Sequence, residues 1–392
     1  MILSLRLKNF YSIRDYAVLD FTAETTPRKL RDHLPGNLIE FNGDKFVNII
    51  GLFGSNAAGK SNIIKTIDFA RQLILTSHLN NEGDKLNFET FKFDEDKPSE
   101  FYINFVSQGI EYEYSFELHG DRIISESLYY YPNKRRSKVF SREKTYSYTH
   151  RKGLIQRPTE VETNTGAKTL FLSRASSMNR PIAQAVYRFF LNEIAIGISN
   201  QDINQTPRHK IEANKDILLK AFEVSDSDII DLKAIETTPG NTQLFSYHRE
   251  NPNIPFDFAR EESEGTKRLL NILLILLDKS LIGTTIFLDE FDLKLHIRLA
   301  ELILDVVRAS HGGQMVFTSH NPLLINPSLL RNEQIVFVSK DESGNSEFVP
   351  LSDYEDIKKN TDLMKAYLQG RFDAVPYIGD IYPILTQLLE NK

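Results

Sequence analysis

The segment GSNAAGKS at positions 54–61 consists of Gly54, Ser55, Asn56, Ala57, Ala58, Gly59, Lys60 and Ser61. It matches the pattern G-x-x-x-x-G-K-[ST], in which the glycines allow successive backbone N–H groups to point at phosphate oxygens. The pattern predicts a phosphate-binding loop, with Lys60 reaching the β and γ phosphates of a nucleotide and Ser61 binding Mg²⁺. The sequence therefore indicates a site for ATP and Mg²⁺.

The residues on both sides of this loop predict the secondary structure that the pattern requires. An apolar run at 45–52 predicts a strand that leads directly into the loop. After the loop, apolar residues recur at helical spacing: Ile63, Ile64, Ile67, Ala70, Leu73 and Ile74. They predict a buried helix, whose N-terminal end also favours an anion. The alternative, a chance match in a glycine turn, does not account for this order of strand, loop and helix.

A second segment, TIFLDE at 285–290, has the pattern of an apolar strand that ends in two carboxylates. Carboxylates at the end of a buried strand are costly unless they bind a cation, so Asp289 is the second candidate ligand of Mg²⁺, acting through water. Glu290 then stands where a general base can polarise an attacking water molecule. The alternative is an ordinary turn at the end of a strand.

A third candidate is His320, which follows a predicted strand at 314–318. A lone histidine is more often structural than catalytic. Here the histidine comes after the strand that follows Asp289 and Glu290, with a predicted helix at 297–308 between the two strands. This placement favours a sensor of the γ phosphate.

The segment ESEGTKR at 262–268 opens an apolar helix shortly before the strand that carries Asp289. It places the Ser263 hydroxyl and the Gly265 N–H at a helix N-terminus, where both can contact an anion. An S-x-G pattern is weak by itself. Its position relative to the other segments makes it a further candidate contact of the nucleotide.

The composition excludes several classes of protein. The 392 residues contain no cysteine, which excludes disulfides, thiolate metal sites and cysteine nucleophiles. The net charge of −6 argues against coating of nucleic acid or anionic membrane through overall charge. The longest apolar stretch, at 269–277, is nine residues, against roughly 20 for a membrane span. With no signal-peptide pattern at the N-terminus, we expect a soluble cytoplasmic protein.

Together these segments resemble the ABC ATPases of the SMC, RecF and OLD group. The resemblance also rests on LRLKNFYS at 5–12, on Asn56 and Asn62 in and after the loop, and on D-E-x-D-x-x-L-H at 289–296. It implies that Ser263 and Gly265 form an ABC signature, which completes the nucleotide site of a second copy. It also implies that Asp292 belongs to the D-loop at this interface, and that the chain forms a homodimer or a higher homo-oligomer around ATP.

The expected fold is α/β, a P-loop NTPase of the ABC ATPase type, with a mixed central sheet, an antiparallel β subdomain and an inserted helical lobe. Residues 1–145 would form the N-terminal lobe with the phosphate-binding loop and an antiparallel meander. Residues 146–255 would form the helical lobe. Residues 256–392 would form the C-terminal lobe with the signature, the carboxylate pair, the D-loop, the histidine, a hairpin at 334–351 and a helical tail.

Within that group, the chain resembles the stand-alone OLD-like ATPases of bacterial anti-phage systems, such as the ATPase partners of AbiL-type and PARIS-type abortive-infection pairs. The similarity rests on KPSEF at 97–101, IISE at 123–126, residues 262–268 and YLQGRFDAVP at 367–376. It implies a sensor or regulatory ATPase that acts on a separate effector, a Toprim-like or RloB-like nuclease. The stretch after His320 is too short for a Toprim domain, so we expect the nuclease to be another protein.

Two alternatives remain open at this stage. The first is a RecF-like or SMC-like DNA-repair ATPase. SMC-type repair ATPases interrupt the head with long coiled coils, and the interval from Lys60 to Asp289 shows no sustained heptads, so a RecF-like protein without long arms is the form that stays open. A transporter subunit or another P-loop enzyme is the other, and no clear Q-loop glutamine supports it. Tyrosines of the meander lie next to the basic run at 134–138 and could stack with DNA or RNA, although aromatic strands and solvated basic loops are common.

Overall fold

The computed structural model describes residues 1–24, 34–197, 206–225, 227–238, 241–277, 283–310, 312–355, 357 and 361–376. Within them the chain forms an α/β fold of the kind expected for an ABC-type P-loop ATPase, with one mixed sheet and one large antiparallel sheet. Most of the predicted helical tail lies outside the described residues.

The mixed sheet lies at the centre of the fold. Its strands, in spatial order, are β11 (Ile194–Gly197), β15 (Thr285–Leu288), β16 (Gln314–Ser319), β5 (Ile49–Gly54), β17 (Ile335–Lys340) and β18 (Ser346–Pro350). The first five are parallel to one another, and β18 pairs antiparallel with β17. Because parallel strands end at the same edge of a sheet, the residues that follow β5, β15 and β16 are brought together.

The large antiparallel sheet is formed mainly by the predicted meander. In spatial order it contains β10 (Ser147–His150), β9 (Ser137–Glu143), β8 (Arg122–Tyr130), β7 (Ile110–His119), β6 (Ser99–Ser107), β1 (Ile2–Lys8) and β2 (Ala17–Asp20). Two smaller sheets contain β3 (Leu38–Phe41) with β4 (Asp44–Val47), and β12 (Ile229–Thr238) with β13 (Asn241–His248) and β14 (Pro255–Asp257).

The helices connect and cover these sheets. They are α1 (Lys60–Thr76), α2 (Pro158–Thr163), α3 (Phe171–Ser177), α4 (Pro181–Asn192), α5 (Arg208–Val224), α6 (Phe258–Glu261), α7 (Glu264–Leu276), α8 (Ile297–Ala309) and α9 (Leu363–Leu368). Among the described helices, none is both long enough and apolar enough to cross a bilayer.

The central sheet separates two hydrophobic cores. Along β5, Ile50 and Leu52 belong to the core beneath the antiparallel sheet, whereas Ile49 and Phe53 belong to the core that includes α7 and α8. Successive side chains of a strand point to opposite faces, so a strand buried on both faces is apolar throughout. This explains why the middle residues of β5, β15 and β16 are apolar, and why polar residues such as Thr285, Gln314 and Thr318 lie only near the ends of these strands.

One predicted strand was wrong in its extent. The run at 45–52 is two strands, because β4 ends at Val47 in a hairpin with β3 and β5 begins at Ile49 in the central sheet. Asn48 lies between them and bonds to a neighbouring segment, its backbone N–H to Asn37 O and its side chain to Gly36 O. An apolar run does not reveal such a change of partner.

The interval 146–255 contains α2 to α5, in agreement with a helical insertion, but it also adds strands to other parts of the fold. Its strand β10 joins the antiparallel sheet, β11 joins the central sheet, and β12 and β13 form most of the three-stranded sheet. The boundaries proposed for the three lobes remain a prediction.

Candidate nucleotide-binding site

The loop from Gly54 to Ser61 joins β5 to α1, as the sequence predicts. Ala57 and Gly59 have φ angles of 62° and 106°, in the left-handed region. Gly59 is the N-cap of α1, and no side chain caps this helix end. Backbone N–H groups at such an end lack partners within the helix and attract anions. The loop therefore has the backbone arrangement that a phosphate requires.

Two serines distant in sequence hold this loop, and sequence analysis gave neither of them a role. The Ser346 hydroxyl donates to Ala58 O at 2.6 Å and lies 2.6 Å from Ser12 Oγ, which in turn accepts from Asn62 Nδ2 at 2.7 Å. With one proton on each hydroxyl, Ser12 donates to Ser346. A Cβ atom on Gly59 would lie 2.1 Å from Ser346 Oγ and 2.5 Å from Ser12 Oγ. The glycine is required by its backbone angle and by this packing.

Lys60 is buried in front of the sheet edge. Its ammonium donates to Gly54 O and Ser55 O, both at 2.9 Å, and lies 3.4 Å from His320 Nδ1. Burial lowers the pKa of Lys60 to about 8, although the carboxylates of Asp289 and Glu290 oppose this shift. A partly desolvated ammonium attracts an added anion strongly, because less water screens it.

The two candidate metal ligands, Ser61 and Asp289, lie side by side where α1 begins and β15 ends. Ser61 Oγ donates to Asp289 Oδ1 at 2.9 Å, and Thr318 Oγ1 donates to the same oxygen at 2.6 Å. A hydroxyl and a carboxylate are the oxygen ligands that Mg²⁺ prefers, so this pair fits the ion. Thr318 also accepts from the backbone N–H of Glu290 at 2.7 Å, which ties the end of β15 to β16.

Glu290 occupies a strained position next to this pair. Its φ angle is 44°, which is uncommon for a residue other than glycine, asparagine or aspartate and is often found at functional sites. Its side chain is 39% exposed, and Oε1 lies 3.9 Å from His320 Nε2. The carboxylate is therefore accessible to water.

Arg268 holds this strained turn, and the sequence analysis missed it. Its Nη2 donates to Asp289 O at 2.8 Å and to Glu290 O at 2.9 Å. The side chain is buried, and burial lowers its pKa although Asp289 opposes this shift. The one available signal was a basic residue in the first turns of the otherwise apolar helix α7.

His320 lies at the end of β16, between Lys60 and Glu290. Burial lowers its pKa, and the charge of Lys60 lowers it further. A neutral ring that accepts from Lys60 at Nδ1 carries its proton on Nε2, the nitrogen that faces Glu290. His320 is therefore able to donate a hydrogen bond into the space above the loop.

The signature residues have a different environment. Ser263 is exposed and caps α7, where its hydroxyl accepts from Thr266 N at 3.1 Å. A Cβ atom on Gly265 would lie 2.8 Å from Lys294 O, so this glycine packs against the segment that contains Asp292. Asp292 is half-buried; burial raises its pKa, although a hydrogen bond with Ser319 opposes this shift. Lys60, Ser61, Asp289, Glu290 and His320 thus lie together, whereas Ser263 bonds only within its helix in the hydrogen bonds described.

A cavity of about 910 Å³ lies beside the start of α1 and is lined by Ser12 and Asn62, but by none of residues 54–61. Its other walls include Tyr11, Lys65, Phe91 and Phe93. Ligand cavities of roughly 300–1,000 Å³ with aromatic walls and a few polar groups are typical of small-molecule sites. The cavity has room for a nucleoside, but none of Lys60, Ser61, Asp289, Glu290 and His320 lines it.

A family model described as "AAA domain, putative AbiEii toxin, Type IV TA system" matches residues 49–326. The match covers most of the chain and includes Lys60, Ser61, Asp289, Glu290 and His320, whereas Ser12 and Ser346 lie outside it. No curated protein matches the chain.

The solved structures to which the chain is similar include heads of SMC proteins. An SmcHead bound to the C-winged helix domain of ScpA is 16% identical, with 89% of this chain and 97% of that chain covered and a TM-score of 0.47. The SMC head domain from Thermotoga maritima is 14% identical, with 89% and 98% covered and a TM-score of 0.43. An Smc head with an extended coiled coil, bound to the C-terminal domain of ScpA derived from Pyrococcus furiosus, is 14% identical, with 94% and 99% covered and a TM-score of 0.41.

The packing of Gly59 predicts the effect of one added methyl group. We expect Gly59→Ala to lower the free energy of unfolding by about 1–3 kcal/mol, because the new Cβ meets Ser346 and Ser12 and the φ angle is unfavourable. Urea denaturation measures the change. Gly36→Ala is the matched control, since no atom lies within 4 Å of its Cβ position. Equal stability of the two variants would contradict this account of the loop.

Proposed function

Because the chain belongs to the family of AAA domains described as putative AbiEii toxins of type IV TA systems, we propose that it binds ATP with Mg²⁺ and hydrolyses ATP. The observation that carries this proposal is the position of Lys60, Ser61, Asp289, Glu290 and His320 at one edge of the central sheet. Each of these side chains matches one requirement of phosphoryl transfer to water. The fold provides no other described site with this combination.

Ser61 and Asp289 are the residues that would hold Mg²⁺. Bound there, the ion would neutralise charge on the β and γ phosphates. The residues of the loop bind and orient the nucleotide through the backbone N–H groups at the start of α1. Lys60 adds a positive charge that is already held in place by Gly54 O and Ser55 O. Catalysis would rest chiefly on positioning and charge neutralisation.

Glu290 is the proposed general base, which polarises the attacking water molecule. Its exposed carboxylate and its strained backbone support this role, because Arg268 and Thr318 fix the turn from which it projects. The proposed role of His320 is to donate from Nε2 to the γ phosphate. A positioned general base contributes about 10² to 10⁴ in rate.

The proposed assembly is a dimer in which two copies enclose ATP. Ser263 supports it, since the serine is exposed at the N-terminus of α7 and would contact the nucleotide of the partner, together with Gly265. Two exposed apolar side chains also support the dimer. Leu293 comes directly after Asp292 and is 47% exposed, and Leu323 comes three residues after His320 and is 49% exposed. A second copy would cover them and place Asp292 near the interface.

The proposed biological role is that of a regulatory ATPase in a bacterial anti-phage or toxin–antitoxin-like pair. The family description and the resemblance to AbiL-type and PARIS-type ATPases support this role. The effector would be a separate Toprim-like or RloB-like nuclease. A gene for such a nuclease next to this one would support the pair, and a gene for a permease would favour a transporter.

A RecF-like or SMC-like DNA-binding ATPase is the alternative. The tyrosines and the basic run of the antiparallel sheet support it less than the sequence suggests, because Arg136 of this run already has an acidic and an aromatic partner. Arg136 forms an ion pair with Glu113 at 2.6 Å and lies over the ring of Tyr129. DNA affinity with a steep dependence on salt would favour this alternative.

The proposed dimer predicts that two variants, each inactive alone, regain ATPase activity when they are mixed. Lys60→Ala removes the lysine contact that the phosphate-binding loop makes in its own nucleotide site. Ser263→Arg removes the signature contact that this chain makes in the partner's site. In a mixed dimer one site keeps both halves, so a 1:1 mixture is expected to regain about a quarter of the wild-type ATPase rate. A phosphate-release assay measures it.

A mixture of Lys60→Ala with Asp289→Asn is the control, because both changes affect the same side of a site. No mixed dimer then contains an intact site, and no activity is expected. Recovery in the control mixture, or no recovery in the first mixture, would contradict a signature that acts on the partner.

The assignment of the base predicts that Glu290→Gln separates binding from turnover. The amide retains the size of the side chain but cannot polarise water, so we expect the ATPase rate to fall by about 10² or more while ATP binding persists. The variant should therefore accumulate as an ATP-bound dimer in size-exclusion chromatography. Glu342→Gln, an exposed change in the β17–β18 turn, should behave as the wild type. A wild-type rate in Glu290→Gln would show that another group acts as the base.

A further inference from the structure

His248 connects the three-stranded sheet to the segment that precedes Ser263. It is the last residue of β13, and its side chain is 17% exposed. Nδ1 lies 2.8 Å from Asp228 Oδ1, and Nε2 lies 2.8 Å from Glu262 Oε1. The ring also packs edge-on against Phe256 of β14, with ring centroids 4.5 Å apart. Both nitrogens of the imidazole are therefore directed at carboxylates.

This geometry requires a doubly protonated ring. A carboxylate only accepts hydrogen bonds, and a neutral imidazole has one N–H, so one of its nitrogens would place a lone pair against an oxygen at 2.8 Å. The imidazolium satisfies both contacts. Burial lowers the pKa of His248, but the hydrogen bonds to Asp228 and Glu262 outweigh burial, and the net shift is upward.

Glu262 is held from several sides. Besides His248 it accepts from Ser246 Oγ at 2.5 Å, and its side chain is only 9% exposed. The next residue is Ser263, the N-cap of α7. The charged groups that act on His248 are Asp228, which precedes β12, and Glu262, which precedes α7. Phe256 and Ser246 are its uncharged neighbours.

We propose that His248 is a positioning residue for the signature: as an imidazolium it fixes Glu262 against the three-stranded sheet and thereby fixes Ser263. This inference rests on the proposed function, in which Ser263 contacts the nucleotide of a partner. His248 touches neither the nucleotide nor Mg²⁺ in that arrangement. His248 would instead affect the position of the exposed Ser263 side chain.

The bridge depends on pH in a defined direction. The pKa of His248 in the folded chain lies above the unfolded value of about 6.5, so the stabilisation is fully present below about pH 6.5. It is lost as the pH rises through the folded-state pKa, because the neutral ring can keep only one of its two contacts. Above the folded-state pKa of His248, the segment that contains Glu262 and Ser263 is therefore held less firmly.

The test compares two variants that keep different halves of the bridge. In His248→Asn the amide occupies the position of Nδ1, so the contact with Glu262 is lost. In His248→Gln the amide reaches the position of Nε2 and can donate to Glu262, but it does not titrate. Other groups that titrate in the site are common to all three proteins, so ratios of kcat isolate His248.

We expect the ratio of wild-type kcat to that of His248→Asn to be about three- to tenfold at about pH 6.5 and to fall toward about pH 9, because the single N–H of the neutral ring is shared between Asp228 and Glu262. The ratio of His248→Gln to His248→Asn should exceed one and should not change with pH. ATP affinity of the loop, measured with a fluorescent nucleotide on the free protein, should remain within about twofold in all three. His209→Asn, an exposed change in α5, is the control and should match the wild type.

A ratio of wild type to His248→Asn that is one, or constant with pH, would overturn the proposal while leaving the ATPase itself intact.

NMR titration of the histidine Cε1–H signals gives a readout independent of turnover. The pKa of His248 in the wild type should lie above the unfolded value of about 6.5, and Glu262→Gln should lower the pKa of His248. An ordinary His248 pKa in the wild type also overturns the proposal, even if the asparagine variant does not fold. Absence of ATP turnover in the wild type would instead contradict the proposed function, and the titration would still decide whether the bridge exists.

Discussion

The burial of the Lys60 ammonium is the constraint on which the rest of the site depends. A buried cation is costly unless polar groups surround it, and here two carbonyl oxygens of the loop and one ring nitrogen of His320 do so. These partners come from β5 and β16, so the ammonium is held only where the two strands end side by side. The carboxylates after β15 lie close enough to oppose the lowering of its pKa. The ends of the central strands therefore fix the relative positions of Lys60, Asp289, Glu290 and His320.

Parts of the chain that are remote in sequence contact the phosphate-binding loop and stabilise it. Ser12 follows β1, and Ser346 begins β18, yet both contact the backbone or side chains of residues 58–62. The antiparallel sheet and the central sheet thus meet at the phosphate-binding loop. The small size of Gly59 permits this meeting, because any side chain there would separate the two sheets.

The sequence predicts much of this arrangement because its strongest patterns are local. The loop at 54–61, the strand ending in Asp289 and Glu290, and the strand before His320 each combine a short motif with an apolar run, and the structure places them at one sheet edge. Arg268, Ser12, Ser346 and His248 were missed because their partners lie elsewhere in the chain, and no spacing rule connects them. The division of the run at 45–52 was missed for a similar reason, since it depends on what Asn48 contacts. The roles of the individual site residues remain predictions.

Arg268 lies on the same helix that Ser263 caps, and its guanidinium holds the backbone of Asp289 and Glu290. Gly265, one turn earlier, touches the backbone of Lys294 beyond them. These contacts couple the helix to the turn after β15. A tilt of α7 would therefore shift Ser263 and the backbone of Glu290 together, so that the face offered to a neighbour and the geometry of the chain's own pocket would change in step.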